Sequence, residues 1–438
     1  MAQFRSTADI MDLALTNAGE VTNGNSPYET DLLNKLNRVH FSIVSGGTIP
    51  LGKDITVEID ETWTWARARR PLILELQPAI TTGTVTLTLG SEVGTFSSGP
   101  ASSVAGWYLK VTGSEGIYRI ASHTAASTSF ELDGAWPLAS VSGGSFTVFK
   151  LDYDLIPDYI VIDSSNNKID FKKTAGGSEL TATLTAGAYT PSALATAIGT
   201  AMTTAASGPT ITCTYSSTTR LFTITSNGAS STTLLPLFAT GTNQKQSAHA
   251  TLGFDDVDST AALTHTSVYV LGGISRLQEP MKIQRGREQL IFGCDPETFT
   301  REFAFANIME GNPSHFCLIQ ENADGTLRVR FNGYPTDKTR VEVEHIPIPR
   351  DLKDSSGSIP LIPRKHVDVL EDAATFFIML LKNDDRAPAY AQLVQGKLNA
   401  MISQHRGSQQ RTGDYFGAII PRADQMMNRR RSLFGDPY

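Results

Sequence analysis

Four aspartates, Asp152, Asp154, Asp158 and Asp163, crowd one short stretch of the chain. Paired carboxylates are the working groups of glycoside hydrolysis, one giving a proton while the other acts as base or nucleophile. Here they sit beside Pro157 and at the ends of candidate strands, where aspartate more commonly shapes turns. The run Gly47-Thr-Ile-Pro-Leu-Gly52-Lys53-Asp54 comes within one residue of the phosphate-loop pattern GxxxxGK[ST]. It puts a carboxylate where a Mg²⁺-binding hydroxyl is needed and follows a helix instead of a strand, so its glycines read as a helix-to-strand turn. Trp63, Trp65, Arg67 and Arg69 alternate along the chain. On a strand they would share one face, fit to stack bases and neutralise phosphates, to edge a core, or to line a subunit interface, where Trp and Arg are enriched. Asp255, Asp256 and Asp258 lack the Gly and Glu positions of a calcium loop. The eight histidines are scattered without HExxH spacing, and no GxSxG elbow occurs. The reading is a non-enzyme with no cofactor and no catalytic or metal residues, in which the Trp63, Trp65, Arg67, Arg69 stripe forms a subunit interface.

Positioning such a stripe takes a multi-domain body. At 438 residues and 40% hydrophobic composition the chain can bury several cores, while charged residues stand at only 18%, below the usual quarter or so. Sparse charge suits a surface covered by neighbours. The net charge of −7 argues against nucleic-acid binding as the main task, since that depends on clustered positive charge. Cys213, Cys294 and Cys317 are odd in number with no CxxC spacing, which points to a reducing compartment. The opening residues carry no apolar export signal, and the longest apolar run, 373–381, falls short of the roughly 20 residues a span needs, so no membrane anchor is expected.

The apolar period predicts helices over about Thr7–Ala18 and from Ser26 to Ile43, the second opened by a Ser26/Glu29 capping box with Pro27 inside. Period two then predicts a strand across Asp54–Arg70 and short β runs over 83–150, with Asn166-Asn167 turning a hairpin. Residues 174–270 are rich in Thr, Ser and Ala, with Arg220 and Lys245 as their only Lys or Arg. A helix over Ser192–Thr204 and strands at Thr210–Tyr215 and Leu221–Thr225 make this an α+β module. A hairpin around Asp324-Gly325 follows, then helices at about Val367–Lys382 and Ala389–Gln404, with Pro388 between them. The predicted fold class is α+β: residues 1–50 and 364–405 form one helical bundle, and 51–163 and 271–363 form a β-rich region, with a possible small β-insert at 82–145. Residues 164–270 form the inserted module and 406–438 an extended C-terminal arm.

That arm carries six arginines against three aspartates, a net +3, leaving about −10 on the rest. Apolar anchors without a period of their own are spaced through it. Arg422, Met426, Met427, Arg429, Arg430, Arg431, Leu433, Phe434 and Tyr438 are the residues expected to dock on a neighbour.

Several segments resemble one family. Ala8-Asp-Ile-Met-Asp-Leu-Ala-Leu-Thr-Asn-Ala-Gly-Glu20 is similar to the opening helix of head-to-tail adaptor proteins of tailed bacteriophages, including the tail-tube A proteins of short-tailed phages. Phe130-Glu-Leu-Asp133, Trp136-Pro137, Phe146-Thr-Val-Phe149 and Asp152-Tyr-Asp-Leu-Ile-Pro-Asp158 resemble that family's central run. Gly311-Asn-Pro-Ser-His-Phe316, Leu327 to Pro335 and Val341-Glu-Val-Glu-His345 resemble its later hairpins, while the 164–270 module is an addition that shorter adaptors lack. The resemblance implies a virion neck component, assembled in the host bacterial cytoplasm into a ring, usually dodecameric in that family, beneath the portal protein. Its partners would be the portal, a tail, nozzle or tail-tube protein, other copies of itself and possibly tail fibres, with genomic DNA passing through unbound. The other reading is a decoration or receptor-binding protein that works through the 164–270 module. A polysaccharide depolymerase using Asp152 or Asp158 would be a third.

Overall fold

The computed structural model describes residues 6–22, 26–52, 55–61, 63–228, 233–278, 280–285, 287–303, 308–354 and 358–415. The chain divides into two units, one made of 1–66 with 351–438 and the other of 67–350. The architecture overturns the α+β expectation: the protein is mostly β, about a quarter helical, with several large curled sheets. Long helices with start signals dominate a sequence reading. Many three- to five-residue strands rich in Ser, Thr and Gly each leave a faint signal, and here their sum outweighs the helices.

In the first unit, helix α1 (Thr7–Asn17) opens on a Ser6/Asp9 capping box, a start signal the sequence reading passed over. Helix α2 (Glu29–Ser45) begins later than expected. Ser26 accepts from the Tyr28 N–H at 3.3 Å and its own N–H reaches Glu29, but Tyr28 occupies the cap. Gly46 and Gly47, both at positive φ, turn the chain into the hairpin Gly47–Pro50/Thr56–Ile59. Lys53 and Asp54, which end the phosphate-loop look-alike, lie outside the described residues.

His40 on α2 is buried, and its Nε2 accepts the Leu361 N–H at 3.1 Å. Burial pushes its pKa down to about 4. Between its ordinary value near 6.5 and 4 the unfolded chain takes up a proton that the folded chain refuses. Stability from this site is therefore complete above pH 6.5, falls by about 1.4 kcal/mol per pH unit through that window, and falls no further below it. Urea midpoints of this unit are expected to drop between pH 6.5 and 4, and His40→Gln, whose carbonyl can still accept from Leu361, to flatten the profile. Parallel profiles for the two proteins would rule this out.

The second unit contains helices α3 (Pro191–Ala206), α4 (His249–Leu252) and α5 (Pro296–Glu302) among its sheets. A seven-stranded sheet spans Val85–Leu87 to Phe146–Phe149 around Phe96, Phe130, Trp136 and Phe146. Its two outermost strands, Val141–Gly144 and Phe146–Phe149, are consecutive in the chain. The first pairs with Val85–Leu87 and the second with Tyr108–Val111. A second seven-stranded sheet runs from Asp152–Asp154 through Leu327–Phe331 to Leu72–Leu76. At the entrance to the 164–270 module, Ile160–Ile162 and Lys168–Lys172 pair with different strands, so Asn166-Asn167 makes no hairpin between them. Instead Asn166 is buried, and its Oδ1 accepts the Asp163 N–H at 2.8 Å.

Helix α3, capped by Thr190 with Pro191 in its first turn, lies so close to Ile211–Tyr215 that a Cβ on Gly199 would stand 3.0 Å from the Cys213 amide nitrogen. Alanine would gain about 1 kcal/mol of helix propensity, but Gly199→Val must push α3 off the sheet. A loss of about 1–3 kcal/mol is expected for the valine variant, read as a lower midpoint in thermal melts.

The first unit closes with α6 (Asp368–Leu381) and α7 (Ala387–Tyr415). Helix α6 contacts α1, α2 and α7. Helix α7 corrects two expectations. Pro388 falls in its first turn and starts the helix, and the helix continues through the first residues assigned to an extended arm.

Candidate functional site

The predicted Trp/Arg stripe is not a strand. Among the described residues of the predicted 54–70 strand only Thr56–Ile59 form a strand, and residues 64–66 form a turn closed by the Ala66 N–H on the Trp63 carbonyl. Trp63 is fully buried, its indole N–H donating to the Ile43 carbonyl at 2.5 Å. The indole stacks on Trp65 and meets the His405 ring at 4.9 Å. It is a core residue of its own unit. Arg67 and Arg69 are exposed and belong to the second unit, where Arg67 pairs with Glu344 at 3.5 Å. The expected arm residues Arg422, Met426, Met427, Arg429, Arg430, Arg431, Leu433, Phe434 and Tyr438 lie outside the described residues.

The clustered aspartates are bound to protein partners. Asp152 and Arg330 sit opposite each other on paired strands, as do Asp154 and Arg328. Each pair closes through two guanidinium nitrogens, at 2.6 and 2.9 Å for the first and 2.7 and 3.0 Å for the second, and Tyr108 adds its hydroxyl to Asp152 at 2.8 Å. Asp163 is held by Arg70 and Ser165, which keep its carboxyl far below the usual range, Ser165 contributing most. Burial pushes the Asp158 carboxyl up, the direction a proton donor needs, and it accepts the Glu75 N–H at 2.6 Å. These are cross-strand staples. No group of three or more His, Cys, Asp or Glu suited to a metal occurs among the described residues. Among them, too, no helix is long and apolar enough to cross a membrane.

A concave feature lies in the helical unit, a cavity of about 410 Å³. Lys35, Arg38, Val39 and Ser42 line it from α2, at the i, i+3, i+4, i+7 spacing of one helical face. Ile49 and Pro50 of the hairpin and Phe377 and Leu380 of α6 complete the walls. Leu380 is 44% exposed, an apolar side chain half bare at the mouth. Neither Lys35 nor Arg38 has an ion-pair partner among the described residues. The site is an apolar slot with two cations at its rim, a shape for an apolar side chain flanked by an acid.

No family model and no curated protein sequence matches this chain.

Helix α7 supplies the other notable geometry. Among the described side chains of α7, Ala387, Ala391, Val394, Leu398, Met401 and His405 are buried, spaced alternately four and three apart, the seam of a helix lying along a neighbour. Lys397 bridges to Asp368 at 2.9 Å and to Asp372 on α6. The seam ends in a lock on Glu61, whose buried carboxylate takes His405 Nδ1 at 3.1 Å and Arg406 Nε at 2.5 Å. Neither cavity nor lock was found in the sequence. The importance of Glu61 depends on a partner 344 residues away.

Proposed function

We propose that the chain is a structural head-to-tail adaptor of a tailed bacteriophage virion. Copies close into a ring beneath the portal protein, join the capsid vertex to a tail or tail-tube protein, and leave a channel through which genomic DNA passes without specific binding. The observation that carries this reading is α7. Its packed seam runs from Ala387 to His405 beside the Glu61 lock, and the helix extends to Tyr415, ahead of a basic sequence with spaced apolar residues from Phe416 to Tyr438. A helix locked onto its own unit and followed in the sequence by arginines and apolar side chains suits attachment to another subunit. Spending the clustered carboxylates on arginine staples supports a structural role over a hydrolytic one.

The test is native mass and electron-microscope class averages of the full chain and of a chain ending at Tyr415, each mixed with the portal protein of the same virion. Rings that stack on the portal only when residues 416–438 are present are expected. Monomers or compact trimers indifferent to the portal would overturn the proposal.

A second reading, a decoration or receptor-binding protein, is favoured by one observation. Thr212 and Thr214, Thr223 and Thr225, and Thr264 and Thr266 stand on three paired strands in matched register, while Cys213, Ile224 and His265 between them are buried. The result is an uncharged hydroxyl grid, with Thr223 and Thr266 hydrogen-bonded at 3.1 Å. Glycan or capsid binding that Thr223→Lys abolishes would favour this reading.

A further inference from the structure

We propose that the cavity on α2 is the receptor for the C-terminal segment of a second copy of this chain, with Leu433 and Phe434 filling the slot and Asp436 meeting Lys35 and Arg38. This rests on the self-association in the proposed function and needs no portal. Three observations converge on it. The first is fit: 410 Å³ between α2, the hairpin and α6 accommodates a pair of large apolar side chains, and Leu380 at the mouth lacks cover. The second is charge. Lys35 and Arg38 line the slot, and Asp436 follows Phe434 by two residues. On the same unit Glu29 and Asp12 hold the Asp354 carboxyl above its usual range, after the larger effect of burial. That concentration of negative charge complements Arg429, Arg430 and Arg431, just ahead of the apolar pair.

The third is the direction of α7, which favours a neighbour's slot over the chain's own. Lys397 of α7 sits beside Asp368 and Asp372 in the first turns of α6, whereas Phe377 and Leu380 of the slot lie in its last turn and a half. Helix α7 therefore carries the chain away from its own slot. From Ala387 to Tyr415 that is about 42 Å at 1.5 Å per residue. Phe434 stands 19 residues beyond Tyr415, a reach of about 63 Å at 3.3 Å per residue. Doubling back to its own slot would use up most of that length, whereas the slot of a second copy can be met along the direction in which α7 points. A head-to-tail contact of this kind, repeated with a closing rotation, generates a ring.

The test uses the full-length chain with a photo-crosslinking benzoylphenylalanine in place of Phe434. Equal amounts of ¹⁵N-labelled and unlabelled protein are mixed, irradiated and mapped by mass spectrometry. Crosslinks to residues 35–50 or 377–380 in mixed-isotope pairs are expected. Same-isotope pairs alone would mean a tail that returns to its own slot, and crosslinks confined to other surfaces would remove the slot from consideration; either result overturns the proposal. Reversing the exposed charge with Arg38→Asp is expected to cut the crosslink yield about five- to tenfold, and adding Asp436→Arg to restore it. An unchanged yield in the single variant, or no recovery in the double, would also overturn it. Failure of the chain to bind a portal leaves these readouts unaffected, so the two proposals fail separately.

Discussion

Trp63→Ala is expected to cost the helical unit about 3–5 kcal/mol, the range for removing a fully buried tryptophan. The indole is entirely enclosed, stacks on Trp65, touches His405 and gives its N–H to the Ile43 carbonyl. Truncation therefore opens a cavity, leaves that carbonyl short of a donor and takes away the ring against which the His405–Glu61 lock rests. Trp63→Phe keeps most of the ring and loses the hydrogen bond, for a loss nearer 1–2 kcal/mol. Hydrogen exchange in α2 and in α7 up to Arg406 is the measurement, because the substitution removes a fluorophore that unfolding experiments would otherwise follow. Amides there should exchange faster in the order wild type, Phe, Ala. Wild-type protection together with defective assembly would return Trp63 to the interface role its sequence neighbours suggested.

Arg220→Ala should free the 164–270 module from the sheet that carries it, at about 2–3 kcal/mol. Arg220 is 6% exposed and holds a left-handed φ of 56°. Its guanidinium donates to the Asp324 carboxylate and the Thr326 hydroxyl at the tip of the Asp324-Gly325 hairpin. Breaking a buried ion pair usually costs more, but the Asp324 side chain is 44% exposed and can recover water, which discounts the loss. The Thr326 hydroxyl first, then its amide and Arg220, hold Asp324 down to about 2. This contribution is complete above the ordinary carboxylate value near 4 and is lost progressively as pH falls from there to about 2, so the clamp holds at every mild pH. Arg350 forms a second clamp, donating to the carbonyls of Phe254 and Ala250, the latter at 3.1 Å, with the Tyr269 ring 5.1 Å away. Limited proteolysis around residues 271–274 should be slow in wild type, faster in Arg220→Ala and fastest when Arg350→Ala is added. Arg220→Lys should rescue poorly, because an ammonium cannot reach both acceptors in a fork. Equal cleavage rates in all variants would mean that apolar contacts alone hold the module.

Local signals with a one-turn or two-residue range were readable from the sequence. The Thr190-Pro191 start gave α3, and the Asp324-Gly325 turn gave the hairpin of His315–Glu321 and Leu327–Phe331. Pairs closed over long separations were not. Arg220 stood out as one of two Lys or Arg residues in a hundred-residue stretch, yet nothing in the chain named Asp324 as its partner. Alternation misled at Trp63, because a turn and a strand edge can carry the same Trp-x-Trp-x-Arg pattern, and only burial tells them apart. The helix-framed fold class failed for a related reason: helices announce themselves through caps and period, whereas short polar strands gain their stability only after distant partners have met. The slot on α2 was equally hidden, since it exists only where α2, the hairpin and α6 converge.

One detail of the small sheet at 85–149 bears on how this protein survives crowding. Its two outer strands are successive stretches of a single chain segment, and Val148 is further bridged on its outer side by Ile80 in both directions, at 2.8 and 2.9 Å. At that margin the chain thus caps part of its own outer strand. Exposed strand margins are where concentrated proteins aggregate. A margin capped in this way leaves another copy less backbone to pair with at Val148, so that an encounter there runs through side chains and stays reversible.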